Sequence, residues 1–332
     1  MIPRFKLEIA GNDVTEQISD RVLAIKVNDE AGQKSDTLDI TLDDRDNTLP
    51  IPSARSRMKI WLGYEEAELV YLGEYTIDEI SLQSGPEVMK VRGKAADASN
   101  EFKATKTRSW DNQTIGQIVT AIAGEHGLTP SVHANYTDKL ITHIDQENES
   151  DAHFLTRLAK LYGAISKPAD GRLLFIPEGQ GISTSGQQLT PLEIDKGELM
   201  SLRATIKERG AYGGVITRFR NKQTNQEEEV TTTDPWSGFL GDGPTFRDKK
   251  LYTSKDMAEQ AGKAKLKQLL SGEVSVDFSV PGNPAIFAER PVKLTGVRAP
   301  LADEWIVKTV SHDLTSGGFT TRVSAGNKVE GS

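Results

Sequence analysis

Gln146-Glu-Asn-Glu-Ser-Asp-Ala-His-Phe-Leu-Thr-Arg-Leu-Ala-Lys-Leu-Tyr-Gly-Ala164 is an extended polar lead-in that runs straight into a short amphipathic helix. Ser150 or Asp151 can accept a hydrogen bond from the first-turn amides that have no partner inside the helix, and Gly163 supplies the left-handed residue that ends it. Phe154, Leu155, Leu158, Ala159 and Tyr162 recur on one face at helical spacing, with His153, Arg157 and Lys160 on the other. A helix of about three turns does not persist without tertiary contacts, so the first face is a candidate core. The second is expected to meet solvent, where loss of the Arg157 side chain would cost little. A hairpin follows, Ala164–Lys167 and Arg172–Ile176, turning through Pro168-Ala-Asp-Gly171, where proline pre-sets one backbone angle and glycine tolerates another. Nothing in the stretch is catalytic.

Upstream, the period is helical from Trp110, with Ile115, Ile118, Val119, Ile122 and Ala123 on one side and Gly127 as the stop. Before that, Phe5 to Ala95 holds short alternating runs separated by turns, the spacing of an antiparallel barrel or sandwich. Asp43-Asp-Arg-Asp46 opens a loop in which Pro50-Ile-Pro52 interrupts the runs. Downstream, Gly179–Gln188 is a Gly/Ser/Gln linker, Leu199–Phe219 reads as strands, and polar Arg220–Gly243, with Glu227-Glu-Glu229, reads as an exposed loop or arm. Thr253 or Ser254 caps a helix reaching about Ser271, with Ala258, Ala261, Gly262, Leu266 and Leu269 on one face. Val274, Val276, Phe278 and Val280 then alternate with Ser275, Asp277 and Ser279 as a strand with one buried and one wet face.

The C-terminal part echoes the N-terminal one. Met58-Lys-Ile-Trp-Leu-Gly63 leads to Glu74-Tyr-Thr-Ile-Asp-Glu-Ile-Ser81, and Val292-Lys-Leu-Thr-Gly296 leads to Glu304-Trp-Ile-Val-Lys-Thr-Val-Ser311. Glu74/Glu304, Tyr75/Trp305, Ile77/Val307, Ile80/Val310 and Ser81/Ser311 then correspond, and each block returns as a strand, Val88–Arg92 or Phe319–Val323. Two readings fit: chance likeness among barrel strands, or duplication of one barrel. The expected organisation is a barrel at 1–104, an α/β domain at 105–180, and a second barrel at 181–332 with a loop and helix inserted at about 220–271.

At 332 residues the chain is long enough for about two or three domains. It has 36% hydrophobic residues and no long apolar run, which leaves no room for a membrane-spanning helix; the N-terminus enters a strand without a signal-peptide core. Without cysteine there is no disulfide or thiolate chemistry, which fits folding in a reducing cytoplasm. A net charge of −8 argues against general nucleic-acid binding. The five histidines, His126, His133, His143, His153 and His312, fall in no zinc spacing. His143 and Asp145 share a strand face as a conceivable metal pair or a plain polar edge; Glu147, Glu149 and Asp151 form a carboxylate row beside a helix start. Gly241-Asp-Gly243 and Gly179-Gln-Gly181 are turn signals rather than phosphate loops. Basic clusters at Lys103–Arg108 and from Arg247 to Lys267 read as solvated surface or a subunit contact, and Trp110 and Trp236 as interface anchors or core. No residue is assigned a catalytic, cofactor-binding or metal-binding role.

The order Gln-x-x-Glu-Ser-Asp-x-x-Phe-Leu-x-Arg-Leu-Ala, then Tyr-Gly-Ala before a strand, resembles the late control protein D family, the baseplate hub proteins of contractile phage tails. It is also similar to the hub portion of type VI secretion spike proteins. Ala31–Leu42, Trp110–Gly127, Ser254–Gly272, Ser279-Val-Pro-Gly-Asn-Pro284 and Trp305–His312 extend the resemblance over nearly the whole chain. It implies a mainly β fold of two related antiparallel barrels plus a small α/β domain. It also implies a non-enzymatic structural protein of the virion tail baseplate, assembled in the host bacterial cytoplasm without cofactors. Its expected state is a homotrimer that joins the hexameric tail tube to a separate trimeric spike and contacts other baseplate proteins. Tape measure protein is expected in the bore, for which the acidic excess offers a lining. Specific nucleic-acid binding and membrane insertion are not expected. A tail-associated wall hydrolase, testable by zymogram, and a receptor- or carbohydrate-binding tail protein, testable by cell binding, are the alternative classes.

Overall fold

The computed structural model describes residues 1–31, 36–95, 102, 104–169, 171–182, 187–206, 212–221, 224–233, 244–270, 274–298 and 301–327. Trp236, Gly241-Asp-Gly243, Lys103 and part of the Gly179–Gln188 linker lie outside them.

Along the chain, β1 (Pro3–Ile9), β2 (Asn12–Asp13), α1 (Thr15–Ile18), β3 (Val22–Glu30), β4 (Thr37–Asp43), β5 (Arg57–Tyr64), β6 (Val70–Gln83) and β7 (Val88–Ala95) come first. Next are β8 (Thr105–Thr114), α2 (Ile115–Glu125), β9 (Thr129–Val132), α3 (Ala134–Thr137), β10 (Leu140–Ser150), α4 (Asp151–Leu161), β11 (Ala164–Ala169) and β12 (Arg172–Pro177). Then follow β13 (Leu192–Asp195), β14 (Ser201–Ile206), β15 (Gly214–Arg220), β16 (Glu227–Thr233) and β17 (Thr245–Tyr252). The chain continues through α5 (Lys255–Leu270), β18 (Val274–Pro281), β19 (Pro291–Thr295), β20 (Glu304–Thr315) and β21 (Gly318–Asn327). The fold is mainly β and mostly antiparallel, and among the described residues no helix is long and apolar enough to cross a membrane.

Two compact units form: residues 1–97, 190–204 and 276–326 make one, and 98–189 with 205–275 make most of the other. The first is a 13-stranded sheet ordered β14-β18-β21-β20-β3-β4-β7-β6-β5-β1-β2, with β19 beside β20 and β13 beside β19. Alternation makes one face dry: Leu7, Ile25, Val27, Leu38, Ile40, Met58, Ile60, Leu62, Tyr75 and Met89 form a core cluster. Six strands of each half occupy matching places. Reading across the sheet, β3-β4-β7-β6-β5-β1 and β14-β18-β21-β20-β19-β13 have the same sequence rank at every position.

The hairpin registers match as well. Lys59 lies opposite Glu74 and Met58 opposite Tyr75; Lys293 lies opposite Glu304 and Val292 opposite Trp305. Ile77 and Ile80 share a face although they are three apart, which needs an extra residue, and the register of β6 on β7 shifts between Ile77 and Glu79. Val307 and Val310 have the same spacing and are both buried. The halves differ at one edge: β1 is antiparallel to β5, whereas β13 is parallel to β19.

In the second unit, α4 starts and stops where its sequence says. Ser150 Oγ accepts from the His153 N–H at 3.2 Å, and Gly163 has φ 62. Phe154, Leu155, Leu158 and Ala159 are buried with α2 residues Ile115, Ile118, Val119 and Ile122. Two sequence expectations need correction here, and the open choice for Trp110 is decided. Trp110 belongs to β8, since the strand continues to Thr114, whose hydroxyl and Gln117 form a capping box for α2. Trp110 is core, stacked on Phe154 at 5.9 Å, because its indole fills the space under α4. Glu227–Thr233 is no loop: it pairs residue for residue with β15, its acidic side chains bound by Arg218, Arg220 and Arg247 on the exposed face. On the other face α5 packs closely, Ala258 and Ala261 against Phe219, with Thr217 Oγ1 donating to Ala258 O at 2.8 Å.

Candidate functional site

The lead-in to α4 folds into a charged cluster. A bulge between Gln146 and Glu149, with Asn148 at φ 45, turns Gln146 and Asp151 inward. Asp151 has no exposed side-chain surface and accepts from four groups: Arg108 (2.6 Å) and Gln146 (2.8 Å) at Oδ1, and Lys106 (2.6 Å) with His126 Nε2 (2.8 Å) at Oδ2. Burial alone pushes the carboxyl up; the bonds from Lys106, Gln146 and His126 and the charge of Arg108 override it and hold it at about 2. Glu125, His126 and Asp151 stand close enough to bracket a cation. The Lys106 ammonium already bridges Glu125 and Asp151 at 2.6 Å each, and Arg108 bridges the same pair. The cluster is therefore an internal ion network that seats α4 on the β8–β10 ribbon.

Of the carboxylate row, Glu147 is exposed and Glu149 is not: Arg157 Nη2 binds it at 2.7 Å and also reaches Asp145 O at 2.6 Å. Arg157 keeps 36% of its side chain exposed on the outer face of α4, and it also spans the bulge and lies over Phe154, contacts that its place in the sequence did not indicate. His143 and Asp145 do share an exposed face. His143 Nδ1 meets Asp111 at 2.6 Å and Nε2 meets Asp145 at 3.2 Å; hydrogen bonds to these two carboxylates raise its pKa.

His312, on β20, is the one buried histidine in the sheet of the first unit. Nε2 donates to Ile286 O at 3.1 Å, and Nδ1 pairs with Thr321 Oγ1 at 2.9 Å, which itself accepts from the Asn283 N–H. Burial pushes its pKa down to about 4, against weaker opposing effects of the Ile286 carbonyl, Asp29 and Asp313. Unfolding therefore takes up a proton between pH 6.5 and about 4, so stability falls as pH drops through that window, by up to about 3 kcal/mol. Melting temperatures from pH 7 to 4.5 should fall less steeply in His312→Gln than in the wild type; equal slopes would assign the acid sensitivity elsewhere.

The wet face of the large sheet carries a row of alternating charge across the strands. Glu79 lies opposite Arg92, Arg92 opposite Asp39, Asp39 opposite Lys26, and Lys26 opposite Asp313. Arg322 completes it with a 2.6 Å bond to Asp313. Two rows with a single lysine each among uncharged residues flank it, Ser81-Lys90-Thr41-Ala24-Thr315 and Thr76-Lys94-Thr37-Asn28-Ser311. The acidic excess of the chain is thus not concentrated on this face. Among the described residues the sheet also has unfinished edges: β14 pairs only with β18, and β5 covers β6 only as far as Thr76. Sequence reading found the repeat but missed these edges, because pairing between distant strands leaves no local pattern.

The sequence profile described as phage tail baseplate hub (GPD) matches residues 88–318. A probable baseplate hub protein of Escherichia phage 186 is 30% identical over 97% of this chain and 92% of its own length. The crystal structure of a 43 kDa tail protein from prophage MuSo2 of Shewanella oneidensis superposes with a TM-score of 0.74, covering 97% of this chain and 98% of that one at 13% identity. A type VI secretion component of E. coli, described as similar to T4 bacteriophage tail proteins gp27 and gp5, follows with 0.61, covering 98% and 79% at 13% identity. The two structures share the fold, and the profile and the phage relative together establish the family: this chain belongs to the phage tail baseplate hubs.

Proposed function

We propose that the chain is a homotrimeric adaptor between the sixfold tail tube and a threefold spike, structural rather than catalytic, assembled in the host cytoplasm. One observation carries this: the two halves of the large sheet repeat in strand order and hairpin register. Three chains with two such halves present six similar units, so a threefold object can meet a sixfold ring on one side and a threefold partner on the other. In this reading residues 1–104 and 181–332 supply the two barrels, with 105–180 and about 220–271 inserted. The wet face with its alternating charges lines the passage, where neither an acidic nor a basic cargo is held tightly. Membership of the hub family does not favour a wall hydrolase or a receptor-binding protein.

Light scattering on the purified chain should return three times the 36.4 kDa chain mass at micromolar concentration. A monomer with and without the spike partner would remove the adaptor reading.

A further inference from the structure

We infer that an apolar hollow in the first half of the large sheet is a docking site for a partner protein, which presents several aliphatic side chains beside a lysine or arginine. The site belongs to a single chain and does not rest on the trimeric reading above.

The hollow measures about 570 Å³, the size of sites that take a ligand rather than a lone water. Its walls come from the dry faces of β1, β4 and β7 and from α1, with Ile9, Leu42, Met89 and Ile18 among them. The connection between β4 and β5 closes one side through Leu49–Pro52 and leaves Ile51 59% exposed at the rim. Among the described residues that line the hollow, Asp13 alone is charged, and Asn12 and Gln17 are exposed polar groups of the same lining. Asp13 Oδ1 accepts from the Thr15 N–H at 2.9 Å. Open apolar surface next to a carboxylate selects an aliphatic group followed by a cation: the first leaves water, and the second meets a fixed negative charge.

The second half of the sheet shows what such a hollow takes. Its own connection, between β18 and β19, ends with the same backbone geometry. Arg55 and Glu289 have φ 69 and 67, and their N–H groups donate to Ile77 O (3.0 Å) and Val307 O (2.8 Å), a pair that already corresponds in the repeat. The N–H groups of Ser56 and Arg290 donate to Ser53 O and Phe287 O, and Ile77 and Val307 return N–H bonds to Ser56 O and Arg290 O. Counting back from these bonds puts Pro52 at the place of Ile286. Ile286 is fully buried and its carbonyl is held by His312 Nε2, so the second half fills this position with an aliphatic side chain of its own. Pro52, whose short ring is fixed to the backbone, remains half-buried, and the first half keeps the opening. The repeat thus supplies the template for the occupant: an aliphatic side chain delivered from an extended loop, here by another protein.

The test titrates the full chain at neutral pH with two probes that share an alkyl chain and differ in head group, octylammonium and octanoate. Octylammonium should bind at a single site per chain with a dissociation constant near or below about 1 mM, and octanoate about fivefold more weakly. Asp13→Asn, whose side-chain oxygen can still accept from Thr15, should bring the two probes within about twofold of each other. Leu49→Trp and Val14→Phe, at half-buried positions of the lining, fill the hollow and should abolish octylammonium binding while melting stays at or above the wild-type temperature. Tails assembled with either filling variant should drop in yield by about tenfold or more. Absence of saturable binding to the wild type, equal binding of both probes, or octylammonium binding that survives the filling variants would overturn the site. A filling variant that folds, binds no probe and still gives the wild-type yield of tails would overturn the docking of a partner. Where neither filling variant folds, Asp13→Asn decides alone: loss of head-group preference with a reduced tail yield supports the docking site, and retention of either overturns it.

Discussion

Asp151→Asn should lower stability at pH 7 by about 3–5 kcal/mol, the largest loss expected from any conservative substitution in the second unit. The carboxylate receives four donors on two oxygens, two of them cationic. An asparagine has one acceptor oxygen, so its amide group would point at a donor pair, either Arg108 with Gln146 or Lys106 with His126. The cations would keep only Glu125 as an anionic partner among the described residues, and in the first orientation the fully buried Gln146 would lose one bond while keeping those with Arg108 and Glu149 O. Because the Asp151 carboxyl is held at about 2, its contribution is present above its unfolded value near 4 and is lost as pH falls toward 2. Urea denaturation of wild type and variant at pH 7 reads the difference directly. A loss under about 1 kcal/mol would mean that water replaces the missing acceptor.

Leu158→Ala should cost about 2–5 kcal/mol. The side chain has no exposed surface and belongs to one buried cluster with Phe154, Leu155, the apolar face of α2, Trp110, Leu173 and Phe175. Cavity formation sets where in the range the value falls, since α4 is pinned at its first turn by Ser150 and Asp151 and cannot slide to fill the gap. Calorimetry on the full chain should show the transition of the second unit lowered while that of the first is unchanged. A shift below about 1 kcal/mol would indicate that α4 relaxes as a body.

Both substitutions fall in the stretch whose sequence spoke most plainly, yet only one was legible there. Leu158 lies in a periodic pattern, and periodicity depends on neighbours a few residues away. Asp151 reads as a surface acid at a helix start; only the inward turn at Asn148, and partners drawn from β8 more than forty residues upstream, make it a buried charge. The partners of Arg157 were hidden for the same reason, as Glu149 is turned toward it by that bulge. β16 was missed because Glu227-Glu-Glu229 has no apolar alternation: it is a sheet edge whose exposed face is balanced by arginines on other strands. The repeat was visible because duplicated hairpins keep turn spacing and inward residues. The joining of its halves was not, since β3 and β20 are linked only in space.

That joining also sets an order of events during synthesis. Lys26 and Asp313 lie opposite each other but are separated by nearly the entire chain. At roughly 5–20 residues per second, β1–β7 leave the ribosome tens of seconds before β20 does. Through that interval the nascent chain carries two bare strand edges, β3 and the end of β6, on an otherwise finished sheet. On a polysome, where several such intermediates lie close together, β3 of one nascent chain can capture β20 of a neighbour. Until the C-terminal strands arrive in cis, the first half of the sheet is therefore a template for swapped, open-ended polymers.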